Sequence, residues 1–353
     1  MKHINMLESP VRQVFFSYLV PSISATLVTS IYILADTMMI GRGVGGSGIA
    51  AMNILLPLYN TYFGIGMMCG VGGSVLFGFS RGRGDEKRAR SYFTAALCVV
   101  LTTAAPMFAL SSFLQAFVRN DGAPKLAMAG VISGGVTNVI LDYVYIFIMK
   151  WGMGGAALAT ATGTTLTVLI LASHFFSKDN HLKLEFSDIW RRVPEVLGNG
   201  LASFILEISN GFVMLLFNRQ LLTYVGEMGI TVYGIITNTA LVASSISNGI
   251  AQAVQPLLSA NFGAGNLKRV GEARKTGFAA GFIFTAIGML IPVQLSYLFL
   301  DPTPEILTMA VPAIRLYFLC FLVSEWNIIS GMYFQSTVRP RFSLTITLLR
   351  GVI

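Results

Sequence analysis

Charge is scarce in this 353-residue chain. Asp, Glu, Lys and Arg make up 11% of it, against about 25% in ordinary soluble domains. Hydrophobic residues make up 54%, and the mean hydropathy is +0.70. A soluble fold of this size cannot hide that much apolar surface in one core, so lipid is the expected solvent. Cysteine is scarce too. Cys69, Cys98 and Cys320 are the three present, all within apolar stretches and with no CxxC pair. That spacing excludes a disulfide framework and a cysteine metal site, and buried packing is expected for all three. Nor does a small-residue cleavage site follow the first apolar block, which runs well past a signal peptide's core, so no removable leader is expected.

What is present is apolar sequence in blocks of about 20 residues or more, the length that crosses a hydrocarbon core. They lie near 13–40, 49–79, 91–118, 126–149, 154–176, 196–222, 229–262, 274–299 and 304–336, with a further one starting near 342. Glycines recur inside them, as at Gly64, Gly66, Gly70, Gly72 and Gly73, and small residues let membrane helices pack closely. The fold class is therefore all-α integral membrane, with about ten spans. The net charge of +8 fits either nucleic-acid binding or membrane topology, and position decides between them. Basic clusters fall at Arg81–Arg90, Arg119 and Lys125, Lys178–Arg192, Lys268–Lys275, and Arg339 and Arg341, while the alternate loops contain only Arg42 and Lys150. That is the positive-inside pattern of an inner-membrane protein with a cytoplasmic N-terminus, and no nucleic-acid partner is expected.

The chain resembles itself. Gly82-Arg-Gly84-Asp-Glu-Lys87-Arg88 aligns with Gly263-Ala-Gly265-Asn-Leu-Lys268-Arg269 at an offset of 181, and Val118-Arg119 with Val338-Arg339 at an offset of 220. Parallel repeats are a known transporter plan. From Arg88 to Val118 is 30 residues, and from Arg269 to Val338 is 69. The first half is thus short by 69 − 30 = 39, the mass of about one crossing and a loop. Missing helix ends are expected near Pro106–Ser111, or else a tight re-entrant hairpin. The second half stops 12 residues beyond Arg341, so a shortfall is expected there as well. The organisation reads as an N-terminal lobe over 1–176, a cytoplasmic linker over 177–195 and a C-terminal lobe over 196–353.

Ionisable side chains at bilayer depth are costly and point to function. Asp36 lies late in the first block, and a straight count from the cytoplasmic side places it outermost. Asn138 and Asp142 are four apart, on one helical face, and Thr160 reaches a similar level from the next helix. Two carboxylates, an amide oxygen and a hydroxyl at one depth suit a hard cation such as Na+, or a proton relay. The bland alternative is that Asp36 meets headgroups and Asn138 ties helices together. Glu207 and Glu325 sit mid-helix in the second half, as candidates for attracting a cationic substrate or coupling protons, or as structural partners. Arg315 is a possible ion-pair partner for one of them.

These residues resemble the multidrug and toxic compound extrusion (MATE) family. The resemblance rests on Pro21 with Ile33-Leu-Ala-Asp36-Thr-Met-Met-Ile-Gly41-Arg42, on Val118-Arg-Asn-Asp-Gly122-Ala-Pro124-Lys125, and on Asn138-Val-Ile-Leu-Asp142. Gly155-Ala-Ala-Leu-Ala-Thr160 and Gln252-Ala-Val-Gln255-Pro256 through Asn266 complete it. It implies two pseudo-symmetric lobes of six helices and export of organic cations against Na+ or H+, by a monomer that needs no cofactor besides the coupling ion. Asp36, Asn138, Asp142 and Thr160 would form the cation site, and Glu207 and Glu325 would be the acids of the second lobe. The rivals are a lipid-linked oligosaccharide flippase of the same superfamily, an intramembrane prenyltransferase and a non-transporting remnant. The first would line its cavity with Arg or Lys, and the second would need paired DxxxD motifs, of which Asn138…Asp142 is half of one.

Overall fold

The computed structural model describes residues 5–103, 106–224, 226–299 and 304–351. Twelve α-helices are defined among them: α1 (Val11–Gly43), α2 (Gly46–Gly82), α3 (Glu86–Leu101), α4 (Pro106–Asn120), α5 (Pro124–Asp142), α6 (Gly152–Ala172), α7 (Ile189–Tyr224), α8 (Gly226–Gly263), α9 (Leu267–Leu290), α10 (Pro292–Phe299), α11 (Pro304–Ser336) and α12 (Pro340–Gly351). No strand occurs among the described residues. Five of these helices begin on a proline, whose fixed φ suits a first turn and whose missing N–H is not needed there. The block expected at 274–299 is accordingly two helices, broken at Ile291 by Pro292.

Five helices are long and apolar enough to cross a membrane by themselves, among them Val11–Gly43, Leu58–Gly82, Pro124–Ile148 and Gly152–Phe176. The connections carrying the basic clusters, from α2 to α3, α4 to α5, α6 to α7, α8 to α9 and α11 to α12, alternate with the others along the chain. They mark a basic end of the bundle.

The repeat appears in three dimensions. Gly84 and Gly265, 181 residues apart, both take left-handed backbone (φ +79° and +74°), a conformation that costs glycine little. The residue after each caps the next helix. Asp85 accepts from the Arg88 amide at 2.9 Å, and Asn266 from the Arg269 amide at 3.4 Å. Helix pairings repeat as well: α1 with α5 and α7 with α12, α2 with α3 and α8 with α9, α2 with α4 and α8 with α11, α3 with α4 and α9 with α11. Residues on a two-fold axis meet their own equivalents. Gln255 Nε2 donates to Ser74 Oγ at 3.2 Å, and a Cβ on Gly78 would stand 2.7 Å from Ser259 Oγ, both pairs at the offset of 181. The axis therefore runs between α2 and α8.

The shortfall in the first half has a definite place. Pro106–Ser111 are helical, and the break falls between Leu101, where α3 ends, and Pro106, where α4 starts. Those helices have 16 and 15 residues, about 24 and 22 Å, whereas their counterparts α9 and α11 have 24 and 33. The stretch 91–118 is thus a shallow hairpin rather than one span, and what is short is the end away from the basic connections. Of the cysteines, Cys69 is buried while Cys98 and Cys320 are exposed. That corrects the expectation for those two, since an all-round apolar helix can turn sulfur outward to lipid without penalty.

Packing between the halves relies on backbone approach. A Cβ on Gly72 of α2 would stand 2.7 Å from the Gly200 nitrogen of α7. Gly72→Val is expected to destabilise by about 1–3 kcal/mol through overpacking, seen as a lower melting temperature of the detergent-purified protein. Gly198→Ala, where an added Cβ meets nothing within 4 Å, should leave the melt unchanged.

Candidate functional site

Depth brings the predicted polar residues together once it is counted from the end opposite the basic loops. Asp36 is seven residues from the end of α1. Asp142 ends α5 six residues before the close of a π-helical turn, Tyr143–Ile148, and Thr160 is eight residues into α6. At 1.5 Å per residue all three lie about 9–12 Å from that end. The outermost placement expected for Asp36 is therefore corrected, because α1 runs on to Gly43, past the end of its apolar block.

Asp142 is fully buried and Asn138 is 3% exposed. Asp142 lies against both Asp36 and Asn138. Asn138 Nδ2 donates to Thr160 Oγ1 at 3.3 Å, while Thr160 donates its own proton to the Ala156 carbonyl at 3.0 Å. That leaves oxygens without donors. Asp36 Oδ1, Asn138 Oδ1 and both carboxylate oxygens of Asp142 are buried with no hydrogen-bond partner among the described residues. Buried acceptors are normally satisfied, so the cluster has an unmet demand for positive charge.

A cavity of about 80 Å³ adjoins it, lined in part by Thr29, Ser111, Ser112, Asn138, Thr160 and Thr167. Five of the hydroxyls there each donate to a helix carbonyl: Thr29 to Ala25 at 2.9 Å, Ser111 to Phe108 at 2.9 Å, Ser112 to Ala109 at 3.2 Å, Thr160 to Ala156 at 3.0 Å and Thr167 to Gly163 at 3.1 Å. Their lone pairs remain for the cavity. No group of three His, Cys, Asp or Glu side chains is placed to hold a metal among the described residues. Two carboxylates with neutral oxygens suit a monovalent cation or a proton better than a polyvalent metal.

Glu207, on α7, is not part of this cluster. It faces α2 at Gly64, and Tyr59, which pairs with Tyr32, lies within electrostatic reach of both Glu207 and Asp36. The two tyrosines link regions that sequence spacing treated separately. Glu325, 2% exposed, lies elsewhere in the second half. It accepts a hydrogen bond from Ser247 Oγ, and its Oε2 has no partner among the described residues. A Cβ on Gly281 would stand 2.7 Å from that oxygen, so glycine makes the room. The cation within its electrostatic reach is Arg350 of α12. Arg315, the possible ion-pair partner, is exposed and makes no ion pair among the described residues; it stands ten residues, about 15 Å, from Glu325 along α11.

A second polar centre, at the basic end, was not foreseen. Asp121 is fully buried and collects Arg81 Nη1 at 2.8 Å, His174 Nε2 at 2.9 Å, His181 Nδ1 at 3.0 Å and the His181 amide at 2.9 Å. It ties α2, the turn after α4, the end of α6 and the following linker into one knot. Beside it Arg119, 3% exposed, donates to Gln252 Oε1 of α8 at 2.6 Å. The only sequence signal was the short motif Arg119-Asn-Asp121-Gly122.

The MatE family model matches residues 21–115 and 201–353. Among curated relatives, the multidrug export protein MepA of Staphylococcus saprophyticus is 25% identical over 285 residues, which is 69% of this chain and 63% of that protein. The MepA of Staphylococcus aureus strain MSSA476 is 24% identical over 392 residues, 98% of this chain and 86% of that protein. Among solved structures, a MATE transporter in complex with MaL6 superposes with a TM-score of 0.89 at 20% identity, covering 100% of this chain and 89% of that one. An outward-facing multidrug resistance MATE transporter of the MOP superfamily gives 0.87 at 20% identity, covering 100% and 88%.

Asp121→Ala is expected to cost about 3 kcal/mol, the low end for breaking a buried ion pair, because Arg81 keeps part of its solvent contact (26% exposed side chain). Thermal denaturation in detergent reads this. Glu86→Ala, which removes the more exposed partner of Arg81 at 3.3 Å, should shift the melt little.

Proposed function

The chain belongs to the MatE family of multi-pass membrane transporters, proteins that move solutes rather than transform them, and we propose that it exports organic cations in exchange for Na+ or H+. The observation that carries this reading is the set of donorless oxygens shared by Asp36, Asn138 and Asp142, with Thr160 completing it. Acceptors buried at membrane depth are stable only when a cation or proton joins them. Such a ligand can be exchanged as the surroundings of the site change, which is what coupling to an ion gradient requires. The basic end faces the cytoplasm in this reading, by the positive-inside rule.

Glu207 and Glu325 supply negative charge in the second half for a cationic cargo. A flippase for pyrophosphate-linked lipids needs the opposite polarity, and none of the residues lining the cavity beside Asn138 is Lys or Arg. The names of the MepA relatives, multidrug export proteins, support drug-like cargo.

Cells expressing the chain are expected to accumulate less of a fluorescent cationic dye than cells without it. Asp36→Asn and Asp142→Asn should abolish the difference. Thr160→Val, which keeps shape and removes one oxygen ligand, should weaken the coupling ion's affinity by about tenfold, the effect of losing one hydrogen-bond-strength contact to charge. Dye accumulation that is the same with and without the unsubstituted chain would sink the export reading.

A further inference from the structure

The segment that joins α6 to α7 carries large apolar side chains on its outer side. Phe176 is 93% exposed, Phe186 68%, and Trp190, the second residue of α7, 89%. Exposure alternates over 184–187, with Leu184 and Phe186 outward and Glu185 and Ser187 turned in, the period-2 pattern of an extended chain with one covered side.

This strip is pinned rather than loose. Ser91 Oγ donates to the Ser187 carbonyl at 2.6 Å, the Glu185 amide donates to Thr94 Oγ1 at 2.8 Å, and Leu182 is buried in the core of the first helices. These contacts set its depth. Ser91 and Thr94 lie five and eight residues beyond Glu86, so the strip runs about 8–12 Å along α3 from its first residue. It flanks the second and third turns of that helix instead of projecting past the bundle's end. The far end of α6 supplies a matching mark. The apolar run Gly152–Phe176 has 25 residues, about 37 Å, and Trp151 immediately before it is 49% exposed. Aromatic residues at both ends of one span are the signature of the two membrane–water interfaces.

The strip carries Lys178, Lys183 and Arg191 against Asp179, Glu185 and Asp188, and further basic residues flank it. Lys178, Lys183 and Arg191 are exposed and make no ion pair among the described residues. Lys87 and Arg90 lie within electrostatic reach of Glu185. The Glu185 carboxyl is engaged locally and held below its usual range by its hydrogen bond with Ser187. Lys87 and Arg90 offset its charge, and Arg192 at 4.0 Å offsets that of Asp188, which leaves Lys183 and Arg191 free for anions.

We propose that residues 176–191 form a membrane-surface belt, with Phe176, Phe186 and Trp190 entering the headgroup layer and Lys178, Lys183 and Arg191 binding anionic phospholipid headgroups. The belt is independent of cargo and coupling ion. It would hold the only long connection between the two halves against the bilayer, so that α7 starts from a fixed level.

The test uses the full chain reconstituted into phosphatidylcholine vesicles with and without phosphatidylglycerol. Trp151→Phe with Trp326→Phe leaves Trp190 alone of the three tryptophans. Its emission is expected to shift to shorter wavelength in both vesicles and further with phosphatidylglycerol. Lipids brominated close to the headgroup should quench it more than lipids brominated at the tail end. Lys183→Gln with Arg191→Gln should reduce the phosphatidylglycerol-dependent part to the phosphatidylcholine level. Emission that stays at its aqueous wavelength and open to acrylamide in both vesicles overturns the belt and leaves the surface to a soluble partner. An equal shift in both vesicles overturns the assignment to anionic headgroups. Should the double tryptophan variant fail to fold, the difference between the unsubstituted chain and Trp190→Phe gives the same reading.

Discussion

A bilayer offers no water to satisfy stray polar atoms, so each buried oxygen must find a donor inside the protein or attract one from outside. Around Asp36, Asn138 and Asp142 the chain supplies acceptors and withholds donors. The withholding is built into the helices. Neighbouring hydroxyls spend their protons on carbonyls three or four residues back along their own helix, a habit of Ser and Thr in helices. The one amide that donates, Asn138 Nδ2, does so to Thr160. Close approach of α5 and α6 makes that bond possible. A Cβ on Gly134 would stand 2.6 Å from the Gly163 carbonyl oxygen, and a Cβ on Gly163 2.6 Å from that of Gly134. Two facing glycines thus hold the cluster at the spacing its proposed ligand requires.

The two ends of the bundle use polar groups in opposite ways. At the basic end Asp121 is saturated by Arg81, His174 and His181, and Arg119 and Gln252 join the halves. Saturation leaves that end with no unmet acceptor on Asp121, since several donors share the buried carboxylate. Towards the other end, the carboxylates of Asp36 and Asp142 are left unsatisfied. The pseudo-two-fold axis through Ser74 and Gln255 lets the halves meet along α2 and α8 with one set of contacts used twice. The first half, whose α3–α4 hairpin is the shorter of the two, still keeps this seam, because the seam belongs to other helices.

Some of this was legible in the residues. Low charge, long apolar blocks and alternating basic loops specify membrane helices whatever their packing. The repeat could be read because its matches, Gly84-Asp85 and Gly265-Asn266, perform one local task, a left-handed turn followed by a helix cap. Asn138 and Asp142 could be placed on one face because helical spacing is local. The rest depended on helix placement that a linear count does not hold. Asp36 was misplaced because α1 runs on to Gly43, past the end of its apolar block. Arg350 rather than Arg315 lies near Glu325, and Cys98 and Cys320 face outward, because helix height and rotation are set by neighbours. The break between α3 and α4 was missed by a few residues, since Pro106 reads equally well as a break or as a first turn.

By itself, then, the amino-acid sequence determined the solvent, the helical class, the internal repeat and the oxygen-bearing residues worth attention, all properties carried by composition or by spacing within one helix. Only the tertiary structure decided which of those oxygens share a site, that Asp121 gathers partners from three other segments, and where along α3 the linker with Trp190 is pinned. The physical reason is that such contacts depend on the relative height and rotation of separate helices. Those are set by steric details such as facing glycines at Gly134 and Gly163, which leave almost no trace in hydropathy.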